Sequence, residues 1–438
     1  MTSRILVPFQ GEGAGEGPMT WAQGMMWRTM LESGRSMNIG GTVALPPGTT
    51  VEAMTRTLRF LMSRHPALRT RLRFTPDSPP RQVVAAAGEA VVEVVDAESD
   101  PGVAAETLRE RYLGVAFEYA AEWPVRMGVV RCGGAVSHVV LVYCHLAVDS
   151  FGIDELVRDL AHLDDGGSPR ESLTPLAIAA RERTPAGINK SKKSLRYWEQ
   201  LLLSLPAPRV AAHGDAREPR FWELTIRSPA IHLALRAITH RTGIESTFVA
   251  LAAYAVARAR PTGGTPVAAQ LVVGNRFRPG YADVVGLLVQ NGLCVIDVDG
   301  PFDDVVRRAW NAATNAFMHG YYDPAALAAL LERVPRDIAY LVNDRRPGNT
   351  AAADPAAAAM PAAGEVKATT SWWSRKLDAL TYTMIVNLDA AADGTDAVDV
   401  AILADTHALG PDGIEAFARD LETVLVDAAS EGEPTVAQ

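Results

Sequence analysis

Seven consecutive residues, His138-Val-Val-Leu-Val-Tyr-Cys144, are apolar at odd and even positions alike after the first. A strand of that kind hides both faces, so it reads as a central strand of a covered sheet rather than as a hairpin with one wet side. Helical spacing at Thr20–Glu32 and Val51–Arg64 precedes it, and further strands are expected at Leu72–Phe74, Arg81–Ala86, Val91–Val95 and Arg126–Cys132. The second half repeats the mixture. Helices are expected at Tyr197–Leu203, Ile231–Thr242, Ser246–Arg258, Phe302–His319, Pro324–Arg333 and Gly413–Ala429, and strands at Trp222–Arg227, Val267–Val273, Leu293–Val298, Tyr382–Leu388 and Val398–Leu403. The fold class is therefore α/β with mixed sheets. At 438 residues the chain is longer than one core normally grows, so two lobes are expected. The polar stretch Asp164–Lys193 serves as the linker, giving lobes over 1–175 and 190–438, while Gly348–Glu365, rich in Ala, Pro and Gly, reads as a loop within the second.

Composition removes several function classes. With 42 Lys and Arg against 51 Asp and Glu, the net charge of −9 offers no phosphate-neutralising surface, so neither nucleic acid nor membrane is an expected partner. Cys132, Cys144 and Cys294 are scattered and odd in number, without metal-ligand spacing, so no disulfide framework and no metal site are expected. The opening residues have no signal-peptide pattern and no apolar run is long enough to cross a bilayer, which gives a cytoplasmic expectation.

His145-Leu-Ala-Val-Asp149 follows the apolar strand directly, and a helix begins after it. Histidine titrates near neutrality and can take and return a proton, although H-x-x-x-D spacing alone more often marks a satisfied core histidine and a helix-capping or loop carboxylate. The segment Gly152–Leu160 also recurs as Gly413–Leu421, five of nine positions identical, each copy after an apolar strand and a His-containing turn. Two related lobes would explain the echo, with only the first keeping His and Asp four apart.

Several segments, in order along nearly the whole chain, resemble the condensation domain of nonribosomal peptide synthetases, within the chloramphenicol-acetyltransferase-like acyltransferases. Thr20-Trp-Ala22-Gln23-Gly-Met-Met-Trp27 is similar to that family's S-x-A-Q-x-R-x-W, and Arg64-His65-Pro-Ala-Leu68-Arg69-Thr70-Arg-Leu72 to R-H-x-x-L-R-T-x-F. Cys144-His145-Leu-Ala-Val-Asp149-Ser150 corresponds to H-H-x-x-x-D-G, Thr247-Phe248 through Val273-Gly274-Asn275-Arg276 resembles the family's helix, strand and G-x-x-R turn, and Val285-Gly286-Leu-Leu-Val289-Gln290-Asn291 loosely V-G-x-F-V-N-T. Tyr197-Trp198 and His319-Gly-Tyr-Tyr-Asp323-Pro324 resemble later motifs.

The resemblance implies two acetyltransferase-like lobes in a V-shaped pseudo-dimer with a central tunnel. It implies a donor acyl group that arrives as a thioester on the phosphopantetheine arm of a peptidyl or acyl carrier protein, and an amine or alcohol acceptor that is free or carrier-bound; no cofactor is bound permanently. His145 takes the catalytic position. Asp149 is structural and paired with Arg276, and Cys144 and Ser150 stand where the motif has His and Gly. A serine at a position needing φ > 0 would carry about 1 kcal/mol of backbone cost. Gln23, Trp27, Gly152, Asn291 and Trp372 are the expected tunnel residues, although Trp372 and Trp373 read somewhat better as caps on the core. His65, His319 and His407 are expected to be structural, and Arg69 and Arg71 to make surface ion pairs unless they meet a carrier phosphate. The expected activity is that of a free-standing acyltransferase forming an amide, or less readily an ester, in antibiotic or other natural-product biosynthesis. The alternatives are an acyl-CoA- or acyl-carrier-dependent O-acyltransferase and a catalytically silent domain that recruits partners.

Overall fold

Alternation of apolar and polar residues drives one face of each sheet against helices, and the chain arranges these layers in two compact units. The computed structural model describes residues 2–163, 172–207, 215–261, 263, 266–346 and 368–430. The first unit comprises Met1–Ser191, Gly274–Gln290 and Asp323–Ala325, and the second Lys192–Val273, Asn291–Tyr322 and Ala326–Gln438. A division at 1–175 and 190–438 therefore misses that two later segments fold with the first unit. The longer one does so because Arg276 and the backbone N–H groups of Leu288 and Val289 bind Asp149.

In the first unit β1 (Thr2–Gln10), β2 (Gly15–Pro18), α1 (Trp21–Ser33), β3 (Asn38–Ala44) and α2 (Val51–Arg64) come first. Next are β4 (Thr70–Thr75), β5 (Ser78–Val84), β6 (Ala87–Ala97), α3 (Pro101–Gly114), β7 (Val125–Cys132), β8 (Ala135–Cys144), α4 (Ser150–Asp159) and α5 (Pro175–Glu182). Its main sheet has the order β1-β6-β7-β8-β3 with only β6 and β7 parallel, and β2-β5-β4 form a smaller sheet. β8 lies inside the sheet. Val139 and Tyr143 pack on one side of it with Leu58, Leu61 and Leu156, and Val140, Val142 and Cys144 on the other with Leu108 and Tyr112.

In this unit β1, β2, β3 and α3 escape the sequence pattern. β1 and β3 are the sheet edges, where Pro8 is tolerated and where Gly40 lets the backbones approach, since a Cβ there would stand 2.0 Å from the Leu141 carbonyl oxygen. α3 begins behind an Asp100 cap followed by proline and buries only Ala105, Leu108 and Tyr112. The expected linker is largely helical as well. α5 is capped by the Thr174 side chain, and α6 (Pro185–Ser204) continues through the unit boundary; the described part of the 164–193 stretch is thus the polar outside of two helices. Glu182 explains the tethering of α5, for its fully buried carboxylate accepts the Trp21 N–H at 2.9 Å, at the positive end of α1.

The second unit contains β9 (Phe221–Ser228), α7 (Pro229–Thr242), α8 (Ser246–Ala259), β10 (Val267–Val273), β11 (Gln290–Ile296), α9 (Phe302–Met318) and α10 (Pro324–Arg333), then β12 (Tyr340–Asp344), β13 (Thr370–Leu377), β14 (Met384–Ala390), β15 (Val398–Asp405) and α11 (Pro411–Ser430). Its sheet has the order β11-β10-β12-β14-β15-β9-β13. One face packs against α7, α8, α9 and α11, and at the β10–β11 end the other carries α6 and α10. β12 and β13 are both unexpected from sequence; β13 pairs with β9 and turns Trp373 into the core while Trp372 stays 41% exposed. The Ala/Pro/Gly-rich 348–365 lies outside the described residues.

The sequence echo is a repeated local structure. Strand β8, a turn and α4 in one unit match β15, a turn and α11 in the other. Ala147 N–H donates to the Cys144 carbonyl as Ala408 N–H does to that of Asp405, and Ile153 donates to Asp149 as Ile414 does to Gly410. With Gly152 laid on Gly413, His145 falls on Thr406 and Asp149 on Gly410.

Candidate active site

Where β8 runs out at Cys144, the chain makes a turn held by the Ala147 N–H to Cys144 carbonyl bond before α4 begins. His145 sits in that turn, with its N–H donated to the Met37 carbonyl at 3.2 Å. Its Nδ1 is 3.0 Å from the Val148 carbonyl oxygen. A carbonyl only accepts, so Nδ1 carries the proton in the neutral ring and Nε2 keeps the lone pair. His145 is half-buried. Burial lowers its pKa from the ordinary 6.5, an effect the Asp149 charge opposes. The ring is thus neutral and able to accept a proton at neutral pH.

Asp149 does not hydrogen-bond to His145. Its carboxylate is 1% exposed and caps α4 through the Gly152 N–H at 2.8 Å. It also accepts the Leu288 and Val289 N–H groups at 2.9 and 3.2 Å, and it pairs with Arg276 at 2.8 Å. Arg276 in turn donates to the Val284 and Gly286 carbonyls at 3.1 and 3.2 Å. One carboxylate therefore joins the His145 turn, the start of α4 and the 284–289 segment. The loop that delivers Arg276 depends on Asn275, buried at φ 59°, whose amide donates to the Leu288 carbonyl at 2.9 Å; asparagine is among the few residues that take this conformation readily. Residue chemistry alone does not single out Asn275 or the backbone of 285–289, although both lie inside the motif segments quoted above.

The other expected residues divide. Gln23 is buried on α1, closes a capping box with Thr20 and donates to the Leu146 carbonyl at 3.3 Å, which ties α1 to the His145 turn. Gly152 leaves no room for a side chain, since a Cβ would lie 2.5 Å from Val148 Cγ2 and 3.0 Å from the Gly286 oxygen. Cys144 is buried among Val140, Val142 and Leu146, and burial pushes its thiol up to about 12. Ser150 corrects an expectation. It is exposed as the first residue of α4 and is not among the positive-φ residues, so no backbone cost attaches to it and its hydroxyl crowds nothing. Trp27 packs edge-on against Tyr119 at 5.3 Å. Asn291 and Trp372 belong to the second unit and stand on opposite edge strands of its sheet, roughly 30 Å apart by strand spacing, so they do not share one subsite.

Arg69 and Arg71 make no surface ion pairs. Arg69 is fully buried and donates to the backbone carbonyls of Gly11, Glu12 and Ala85, and Arg71 stacks over Trp123 at 3.4 Å. Arg69 is therefore not available to a phosphate, while Arg71 is only half-buried. His65 lies 3.1 Å from Asp159, which also binds Arg64, and His319 stacks on Tyr197. Among the described residues no group of three or more His, Cys, Asp or Glu is placed to hold a metal, and no helix is long and apolar enough to cross a membrane.

Comparison with known families gives one decisive match, the Condensation domain model, over residues 14–338. The chain belongs to the condensation domain family. Cyclosporin synthetase of Tolypocladium inflatum is 26% identical over 330 residues, an alignment covering 69% of this chain and 2% of that synthetase. This condensation domain thus spans a very small part of the large curated relatives it matches. Among solved structures, the condensation domain that mediates chain release from the enacyloxin polyketide synthase superposes with a TM-score of 0.74 at 19% identity, over 98% of this chain and 85% of that one. The X-domain of teicoplanin biosynthesis, in complex with OxyB, superposes with a TM-score of 0.70 at 18% identity, over 96% of this chain and 95% of that one. The mixed α/β architecture is that of condensation domains.

Proposed function

We propose that this condensation domain joins an acyl or aminoacyl thioester, delivered on the phosphopantetheine arm of a carrier protein, to an amine acceptor in natural-product biosynthesis. The observation that carries the reading is His145 itself. Its Nδ1 is committed to the Val148 carbonyl, its Nε2 has no partner among the described residues, and burial keeps it neutral. The acceptor nitrogen attacks the thioester carbonyl, Nε2 takes its proton as the tetrahedral intermediate forms, and the same proton passes to the departing thiolate as the C–S bond breaks. Asp149, saturated by Gly152, Leu288, Val289 and Arg276, holds the turn in place and leaves the proton to His145.

An α-amine with a pKa near 8 is partly neutral at cellular pH, so positioning supplies much of its rate. A hydroxyl acceptor would lean more heavily on His145, a contribution of about 10²–10⁴-fold. The competing reading, a silent recruiting domain, draws on the likeness to the X-domain bound to OxyB; a histidine held in one tautomer with its basic nitrogen open weighs against it. Intact-mass measurement of a loaded carrier protein with panels of amines and alcohols tests the proposal. Unloading with matching product, lost in His145→Ala, is expected. Wild-type protein that binds the carrier and unloads no donor would overturn the catalytic reading in favour of recruitment.

A further inference from the structure

Toward the end of α4 away from Asp149, the first unit holds a cavity of about 540 Å³, within the ordinary range of small-molecule sites. Its described walls all belong to that unit and do not include His145. They come from the turn after β1, the end of α2, the body of α4 and the stretches that lead into α5 and β11. Charge in the cavity is lopsided. Glu12, Glu155, Asp159 and Asp283 line it, and Arg64 and His65 are the only bases among its described walls. A concave wall of mainly one sign concentrates counter-ions. Asp159 is answered by Arg64, whose Nε donates to it at 2.7 Å. Glu155 is answered only from outside, for its side chain is 7% exposed and its one partner among the described residues, Arg158, is 58% exposed and no part of the wall. Glu12 is exposed and has no ion-pair partner among the described residues.

A second observation in the same wall points to a ligand. His65 is 6% exposed, and its Nε2 is buried without a hydrogen bond. Asp159 Oδ2 lies 3.1 Å away, but Arg64 already binds that oxygen and the imidazole is not aligned to share it. A buried polar atom left in this state costs free energy until something completes it. An ammonium group does so when the ring proton is on Nδ1, by donating an N–H to the Nε2 lone pair, and it is matched in charge to the carboxylates around it. Those carboxylates are not gathered about one point. Among the described residues no three of His, Cys, Asp or Glu are placed to hold a metal ion. Negative charge spread along a cavity of this size fits a chain that carries its positive charges several bonds apart, and not a bare ion.

We propose that this cavity binds a small organic polycation, a linear molecule with two or more ammonium groups, which Glu155, Glu12 and the His65 Nε2 receive. The assignment is independent of the chemistry at His145 and stands or falls on binding alone.

Titration calorimetry of the full chain at low salt, with spermidine, putrescine and the uncharged 1,4-butanediol as probes, tests it. One saturable site is expected, tightest for spermidine, weaker for putrescine and absent for butanediol, with affinity falling as sodium chloride is added. Glu155→Gln should raise the spermidine Kd about tenfold and Glu12→Gln about threefold. Because Glu12 is exposed, Glu12→Gln keeps the fold and reads the charge of the cavity even where Glu155→Gln does not fold. In imidazole NMR spectra spermidine should shift the His65 signals, assigned by their loss in His65→Gln, and leave those of His145 in place. No saturable binding, an unchanged Kd in the folded variants, or shifts at His145 in place of His65 would overturn the proposal. So would magnesium chloride that displaces spermidine beyond sodium chloride of equal ionic strength, since that result assigns the cavity to a bare metal ion.

Discussion

Replacing Asp149 by alanine removes one side chain that serves five hydrogen bonds. The pair with Arg276 is buried, at 1% and 13% side-chain exposure, so little solvent screening applies. Breaking such a pair on one side costs about 3–5 kcal/mol. Loss of the cap on α4 through Gly152 adds about 1 kcal/mol. The Leu288 and Val289 N–H groups lose their acceptor, and the space vacated by the carboxylate admits water, so about 1 kcal/mol for both together is the appropriate end of the range. The sum is about 5–7 kcal/mol, on the order of half the stability of an ordinary domain. Asp149→Asn keeps the shape and one acceptor and should cost about 2–4 kcal/mol. The assay is urea unfolding of Asp149→Ala, Arg276→Met and the double variant. Once Arg276 is gone the carboxylate has less to hold, so the double variant should fall short of the sum by at least about 2 kcal/mol. A loss below about 2 kcal/mol for Asp149→Ala, or strict additivity with Arg276→Met, would refute the claim that this carboxylate pins the turn to the 274–290 segment.

Gly152→Ala should cut the transfer rate more than tenfold, because its Cβ cannot clear Val148 and Gly286 without moving the His145 turn, whereas Ser150→Gly should leave rate unchanged; single-turnover rates with a loaded carrier separate the two. The pH dependence follows from the direction of the His145 shift. A base must be unprotonated to act, and burial lowers this group below 6.5, so log kcat/KM expressed per neutral amine should climb with unit slope at acid pH, bend below 6.5 and stay flat through neutrality; a bend above 6.5 after that correction would contradict the burial argument. Thiol labelling reads the same burial in another residue. Cys144 and Cys294, each pushed up to about 12, should resist iodoacetamide at pH 8 in the native protein, while half-buried Cys132 is modified, and intact mass should show one adduct before unfolding and three after.

Much of this site could be read from residues because it sits on the most apolar strand of the chain. His138–Cys144 announced β8, and a His and an Asp after it had to fall in the turn before α4. The Asp149–Arg276 contact could not be read in that way. The partners are 127 positions apart and no periodicity connects them, so only the family resemblance brought them together on paper. The edges were invisible for the opposite reason. A proline in β1 and adjacent glycines at Gly40 and Gly41 of β3 are weak strand formers whose places are fixed by what they pair with. In α6 the exposed face carries Lys192, Lys193 and Arg196, which hides from any composition count that Trp198 and Leu202 of the same helix are fully buried.

The repeated strand, turn and helix shows what the turn contributes and what it does not. Both copies close with the same backbone bonds, so the geometry is a packing solution available to either sequence. At the place of His145 the second copy has Thr406, fully buried, which accepts the Arg217 N–H at 3.0 Å and donates to the Arg220 carbonyl at 2.7 Å. At the place of Asp149 it has Gly410, with no side chain to bind anything. One copy thus spends its polar group on its own backbone, and the other satisfies half of an imidazole and leaves the remaining nitrogen open. Under the proposed function it is that unspent nitrogen, rather than the turn, that would carry the chemistry. Thr406→His in the second copy should accordingly gain no transferase activity, since its site offers neither an Asp149 nor a route out for the ring.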